Sequence, residues 1–140
     1  MPAVRTLVDS SVLIAAARAG ETHHARAVAG LETRAAGGLG VPVTILAETM
    51  SFIGARLGVD QQRRFWDGFM VSGIEIVAVD ADLLGIAREI DRRYADAGFG
   101  FADCTLLAAC ERERVSCVLS FDARLAAFRP SFAPALELQP

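Results

Sequence analysis

Apolar residues in this chain fall into short β-branched runs that alternate with longer stretches of helical spacing. The short runs predict β-strands at 4–8, 39–41, 74–79, 116–120 and 135–138. The longer stretches predict helices at 11–19, 23–36, 43–57, 61–71, 80–94, 102–113 and 122–127. Because strands alternate with helices, we expect an α/β protein of three layers, α/β/α, with a central, mostly parallel sheet between helices.

Length and composition indicate one cytoplasmic domain. The 140 residues most simply form a single domain over residues 1–140, and a hydrophobic fraction of 53% is enough to fill its core. No apolar run reaches the roughly 18 residues that a membrane span needs, and Asp9 comes too early for a secretory signal. We therefore expect a cytoplasmic protein with no membrane partner.

The basic residues of the chain are of one kind. All 14 residues counted as Lys or Arg are Arg, and the net charge is −3. A protein that coats DNA is usually basic, so this balance disfavours that class. It still allows a nuclease whose own acids are neutralised by bound metal.

Three cysteines, Cys104, Cys110 and Cys117, lie among apolar residues and form no CxxC pair. Such cysteines are typical of a protein core rather than of a metal or redox site. We expect buried, reduced thiols.

Four acids stand where predicted strands end or within apolar helices. Asp9 and Asp122 each follow a buried strand, Asp103 begins a strongly apolar helix, and Glu48 lies inside another. Each has a plainer explanation, since Glu48 can pair with an Arg and the aspartates can cap helices. In a parallel sheet, however, the carboxyl ends of the strands share one edge. Carboxylates gathered there repel one another unless a divalent cation such as Mg²⁺ or Mn²⁺ binds them.

The order of these acid-bearing motifs resembles that of the PIN domain family. In motif order and length the chain is similar to VapC-type toxin ribonucleases of bacterial toxin–antitoxin pairs. The matching segments, which cover nearly the whole chain, are LVDSSVLIAA with Asp9, ILAETMSFI with Glu48, GFGFADCTLLAAC with Asp103, and VLSFDARLAAF with Ser120 and Asp122. The family's closing motif usually has Thr where this chain has Ser120, which keeps the hydroxyl group.

The resemblance implies a PIN-like fold, a metal-dependent endoribonuclease, inhibition by a cognate antitoxin protein, and a homodimer. It assigns both catalysis and metal binding to one set of residues, Asp9, Glu48, Asp103 and Asp122. These would hold one or two Mg²⁺ or Mn²⁺ ions that activate water for attack on an RNA phosphate. Ser10 and Ser11 are candidates to face the metal or a phosphate. Asp96 lies near a position where the family often has another acid, and whether it supports the site or is a plain loop acid stays open.

Further expectations concern partners. RNA contact should come from Arg, whose planar fork fits phosphate, with candidates at Arg18, Arg56, Arg92, Arg93 and Arg124. The segment 61–71 carries Phe65, Trp66 and Phe69, which with Met50 and Phe52 predict either an antitoxin groove or ordinary core packing. His23 and His24 are expected to be surface or dimer residues rather than catalytic bases.

Two other enzyme classes with clustered acids are disfavoured. A haloacid-dehalogenase-like phosphatase needs a second Asp where this chain has Ser11, and it also needs a Lys. A receiver domain of two-component signalling likewise needs a Lys. This chain has no Lys. Two alternatives within the PIN family stay open. One is a non-toxin nuclease acting in RNA processing, and the other is a catalytically silent binding module.

Overall fold

The structure is a computed structural model that describes residues 4–140. Its five strands are β1 (Thr6–Val8), β2 (Leu39–Pro42), β3 (Glu75–Val77), β4 (Cys117–Leu119) and β5 (Glu137–Gln139). Its six α-helices are α1 (Ser10–Ala17), α2 (His24–Arg34), α3 (Val43–Leu57), α4 (Val59–Met70), α5 (Ala81–Arg93) and α6 (Phe101–Glu113). Short 3₁₀ helices lie at Ala35–Gly37, Ala95–Ala97 and Ala123–Ala127.

The five strands form one parallel sheet in the order β3-β2-β1-β4-β5. Strand β1 is central, and its Leu7 lies between Gly40 of β2 and Val118 of β4. Because all the strands are parallel, their carboxyl ends lie along one edge of the sheet. The segments that follow β1 and β4 therefore leave the sheet side by side.

The core lies on both sides of these central strands. Leu7 and Val8 of β1 and Val118 and Leu119 of β4 have no exposed surface. Helix α6 is buried at every residue from 104 to 110, because it is apolar all round rather than amphipathic. Its first turn is thereby held firmly beside the ends of the central strands.

The α/β fold with a parallel sheet, expected from the apolar pattern, is confirmed, and the element ends differ from the prediction by at most two residues. The last predicted helix, 122–127, is a 3₁₀ helix of five residues. The three cysteines are buried and free, as expected, and burial raises the pKa of the Cys110 thiol. Among the helices of residues 4–140, none is long and apolar enough to cross a membrane.

Candidate active site

Asp9 is the buried centre of the candidate site. It follows β1 directly, only 3% of its surface is exposed, and its backbone N–H donates to the carbonyl of Leu119 at 2.9 Å. Its Oδ2 accepts hydrogen bonds from the hydroxyls of Ser120 at 2.7 Å and Ser11 at 3.2 Å. Burial raises the pKa of Asp9 because desolvation outweighs these hydrogen bonds, and the nearby charge of Asp103 raises it further. A carboxylate in this position is costly unless it binds a cation.

Two serines join the segment after β1 to the segment after β4. The Ser120 hydroxyl accepts the N–H of Asp122 at 2.9 Å, and the Ser11 hydroxyl accepts the N–H of Phe121 at 3.0 Å. The two hydroxyl oxygens lie 3.4 Å apart. These bonds fix the carboxylate of Asp9 relative to the chain that carries Asp122.

Asp122 stands at the start of the 3₁₀ helix Ala123–Ala127 and is paired with Arg124. The guanidinium Nε of Arg124 lies 3.0 and 3.1 Å from the two carboxylate oxygens of Asp122, and Nη2 lies 2.6 Å from Oδ2. The hydrogen bond from Arg124 holds the pKa of Asp122 below its ordinary value. The capping role considered from sequence also exists, because Asp122 Oδ1 accepts the N–H of Arg124 at 3.0 Å.

Asp103 lies in the first turn of α6, close to Asp9 and Arg124. Its Oδ2 accepts the N–H of Gly100 at 2.8 Å, so it satisfies one of the free amides of the helix start. The same oxygen lies 3.4 Å from Nη2 of Arg124. The side chain is 15% exposed, which leaves it accessible at the margin of the core.

Glu48 is exposed on α3, and its Oε1 accepts the hydroxyl of Ser10 at 2.6 Å. Within residues 4–140 it forms no salt bridge, so the Arg partner considered from sequence is not found there. Because Ser10 follows Asp9 directly, this bond places Glu48 beside the turn that carries Asp9.

The structure thus links all four predicted acids around the ends of β1 and β4. Asp9 and Asp122 are joined through Ser120, Asp122 and Asp103 through Arg124, and Glu48 reaches the group through Ser10. In the part of the chain that the structure describes, no three acidic, His or Cys side chains are grouped as one metal shell. The donor set, carboxylates with neighbouring hydroxyls, fits the oxygen ligands that Mg²⁺ and Mn²⁺ prefer.

Comparison with known proteins assigns the chain to a family. A family model of the PIN domain matches residues 6–129. This chain belongs to the PIN domain family. The expected family resemblance is therefore confirmed, and no curated protein sequence matches the chain significantly.

Solved structures share the fold of this PIN domain. The crystal structure of Mycobacterium tuberculosis VapC20, a toxin that cleaves the sarcin–ricin loop, has a TM-score of 0.81 at 23% identity, over 96% of this chain and 99% of that chain. VapBC2 from Rickettsia felis, bound to a DNA fragment from its promoter, has a TM-score of 0.73 at 16% identity, over 96% of each chain. FitAcB from Neisseria gonorrhoeae has a TM-score of 0.68 at 19% identity, again over 96% of each.

The structure also describes three other positions of this PIN domain that the sequence analysis considered. Arg124, a candidate for RNA contact, pairs with the site acids Asp103 and Asp122. His23, expected to be a surface or dimer residue, is partly exposed, and its ring stacks on that of Phe121 with 4.6 Å between the ring centroids. Asp96 is exposed and forms no hydrogen bond or salt bridge through its side chain within residues 4–140, which fits a plain loop acid. Sequence spacing alone carried no signal for the Arg124 pairing, because an exposed-looking Arg two residues after an Asp is common.

The aromatic segment 61–71 borders two grooves rather than one. Phe65 faces a groove of about 330 Å³ between α4 and the helices α1, α2 and α3. Met50 and Trp66 line a second groove of about 270 Å³, whose surface is almost entirely apolar. Phe69 is buried between the two, and Phe52 instead packs against the guanidinium of Arg56. Trp66 is 57% exposed, so it is not core, whereas Phe69 is.

Proposed function

We propose that this PIN domain is a metal-dependent endoribonuclease and the toxin component of a type II toxin–antitoxin pair. The observation that carries the proposal is the buried carboxylate of Asp9, held by Ser120 and Ser11 beside Asp103 at the end of the central strand. Among residues 4–140 no salt bridge pairs with this carboxylate, and burial of such a charge is costly unless a bound cation offsets the cost. The likeness to VapC folds is consistent with this activity.

The proposed metal ligands and catalytic residues are Asp9, Glu48, Asp103 and Asp122. A bound Mg²⁺ or Mn²⁺ ion would supply a water of lowered pKa and neutralise charge on the phosphoryl group. The protein's own part is to fix the ligands. Ser120 and Ser11 orient one oxygen of Asp9, while Ser10 orients one oxygen of Glu48.

RNA is the proposed substrate, and its phosphates would meet Arg side chains. Arg18 and Arg56 are exposed, and Arg92 and Arg93 are exposed at the end of α5. Because the chain has no Lys, any phosphate contact through a charged side chain depends on these and other Arg residues.

A cognate antitoxin is the proposed protein partner. The second groove, lined by Met50, Trp66 and Phe69, offers an exposed aromatic anchor in an apolar surface, which suits a partner segment.

We further propose one domain over residues 1–140, a homodimer and a cytoplasmic location. Two alternatives are a non-toxin PIN nuclease of RNA processing and a catalytically silent binding module. Growth arrest on expression, relieved by a small reading frame immediately upstream, would select the toxin.

The test of the activity is RNA cleavage in the presence of Mg²⁺ or Mn²⁺. We expect Asp9→Asn and Asp103→Asn each to reduce cleavage by about 100-fold or more, since loss of a group that only orients a metal ligand already costs about 10–100-fold. Asp67→Asn, a change at an exposed acid of α4, is the matched control and should leave cleavage intact. Full activity in both site variants, or unchanged cleavage in EDTA, would refute the metal-dependent mechanism. Mapping the cleavage sites on total RNA would then identify the target.

A further inference from the structure

Arg124 supplies the positive charge at the candidate site. Its guanidinium contacts both carboxylate oxygens of Asp122, through Nε at 3.0 and 3.1 Å and Nη2 at 2.6 Å. Nη2 also lies 3.4 Å from Oδ2 of Asp103, and Nη1 donates to the carbonyl of Gly98. One side chain therefore ties the 3₁₀ helix after β4 to the loop before α6.

These contacts occupy both carboxylate oxygens of Asp122 and one oxygen of Asp103, which a divalent cation bound there would use. Both oxygens of Asp122 accept from Arg124, and Oδ2 of Asp103 already accepts from Gly100. A guanidinium and a metal ion cannot share the same lone pairs, and two cations side by side repel each other. Metal binding through Asp122 therefore requires Arg124 to leave at least one of these oxygens.

We infer that Arg124 is an internal counter-ion of this site, which pairs with Asp122 and Asp103 in the metal-free protein and exchanges with the divalent cation when it binds. The inference rests on the proposed function, because it assumes that these two acids are metal ligands. It goes further in assigning to Arg124 a positioning role that sets the strength of metal binding.

The fold allows such an exchange without rearrangement of the core. Arg124 belongs to a 3₁₀ helix of five residues, and its side chain is 52% exposed. Its long side chain can turn into solvent while Leu125, which follows it, stays buried. The backbone of Asp122 is held separately, because its N–H donates to Ser120, which itself donates to Asp9, so this contact does not depend on Arg124.

Two consequences follow from the exchange. Without the guanidinium of Arg124, a cation no longer competes with a positive charge on that side chain for Asp122 and Asp103, so it should bind more tightly. The metal-free protein should at the same time lose stability, because the carboxylates of Asp9, Asp103 and Asp122 then repel one another without a counter-ion.

The experiment is calorimetric titration of the full chain with Mn²⁺, after removal of metal by EDTA and dialysis and with no RNA present. We expect Arg124→Gln to lower the Kd for Mn²⁺ by about fivefold to tenfold, the effect of removing one or two partly exposed ion pairs. Its melting temperature in EDTA should fall, and the rise in melting temperature on adding Mn²⁺ should exceed that of the wild type.

Arg112→Gln is the matched control. Like Arg124, Arg112 pairs with an aspartate and a backbone carbonyl, here Asp80 Oδ1 and the carbonyl oxygen of Ala78, both at 2.7 Å. Since neither is a proposed ligand, the Kd for Mn²⁺ should be that of the wild type. Arg124→Lys keeps the charge but not the two-pronged contact, so it should tighten Mn²⁺ binding by a smaller factor, which provides a second variant if Arg124→Gln folds poorly.

The outcomes separate this inference from the proposed function. Unchanged or weaker Mn²⁺ binding in both Arg124 variants, while Asp103→Asn abolishes binding, would overturn the exchange and leave the metal site standing. Absence of Mn²⁺ binding to the wild type and to Arg124→Gln alike would overturn the metal site and the exchange with it. Tighter Mn²⁺ binding in the two Arg124 variants, with wild-type binding in Arg112→Gln, supports both the metal site and the exchange.

Discussion

The hydroxyl of Ser120 donates a hydrogen bond of 2.7 Å to Oδ2 of Asp9, although 111 positions separate the two residues in the chain. The bond is possible because β1 and β4 are adjacent parallel strands, so the residues that follow them leave the same sheet edge together. Ser120 also accepts the N–H of Asp122, which makes it the link between two of the proposed metal ligands.

Ser120→Ala should therefore impair the site more than the fold. The variant loses the donor to Asp9 and the acceptor for the Asp122 amide, so we expect metal-dependent RNA cleavage to fall by about 10- to 100-fold. The free energy of unfolding should fall by only about 1–2 kcal/mol, as for the loss of one buried hydrogen-bonding group. Cleavage assays and urea unfolding measure the two effects. Ser120→Thr keeps the hydroxyl and serves as the control; equal activity of the Ala and Thr variants would contradict a positioning role for this group.

Asp9→Asn should stabilise the metal-free protein in a pH-dependent manner. Burial raises the pKa of Asp9 above its ordinary value near 3.8, so the folded state holds this proton more tightly than the unfolded state does. The wild type consequently loses stability as the pH rises from about 3.8 through the pKa of the folded state, whereas the Asn variant has no such loss.

Urea unfolding in EDTA at pH 4 and pH 7 tests this prediction. We expect Asp9→Asn to exceed the wild type by about 1 kcal/mol at pH 7, the order of relieving one poorly solvated buried group, with a smaller difference at pH 4. The lowered pKa of Asp122 acts in the opposite sense and at lower pH, but it is common to both proteins and cancels in the difference. A gap that is independent of pH, or a less stable Asn variant at pH 7, would show that burial of the Asp9 charge is not costly.

Glu48→Gln should separate activity from stability. Glu48 is exposed, and an amide oxygen can still accept the hydrogen bond from Ser10, so the free energy of unfolding should change by less than about 0.5 kcal/mol. Removing the negative charge should nevertheless reduce metal-dependent cleavage by about 100-fold if Glu48 is a metal ligand. Glu89→Gln, at another exposed helical acid, is the control. Wild-type cleavage by Glu48→Gln would remove Glu48 from the proposed ligand set.

Trp66→Ala should weaken binding of the cognate antitoxin. Trp66 is a largely exposed ring in an apolar groove, and truncation of such an anchor typically costs about 2 kcal/mol or more of binding free energy, about 30-fold in Kd. Phe101→Ala, at a ring 67% exposed and outside this groove, is the control for the general loss of surface aromatic area. A pull-down or titration with the product of the neighbouring gene measures the effect. Loss of binding in Phe65→Ala but not in Trp66→Ala would indicate that the antitoxin binds the groove lined by Phe65 instead.

The sequence by itself determined the elements and the parallel sheet, and it provided the four acids of the proposed site. Alternation of β-branched runs with helical spacing depends on local contacts, so the strand and helix ranges were predictable within two residues. The order of acid-bearing motifs was enough to predict the PIN family, which the family match confirms.

Only the tertiary structure decided how these residues contact one another. The pairing of Arg124 with Asp103 joins the 3₁₀ helix after β4 to the first turn of α6, so no local pattern encodes it. The same holds for the bond between Ser10 and Glu48 and for the division of the aromatic segment into two grooves. Periodicity predicts which face of an element is apolar, but the partner of each side chain depends on how the elements pack in space.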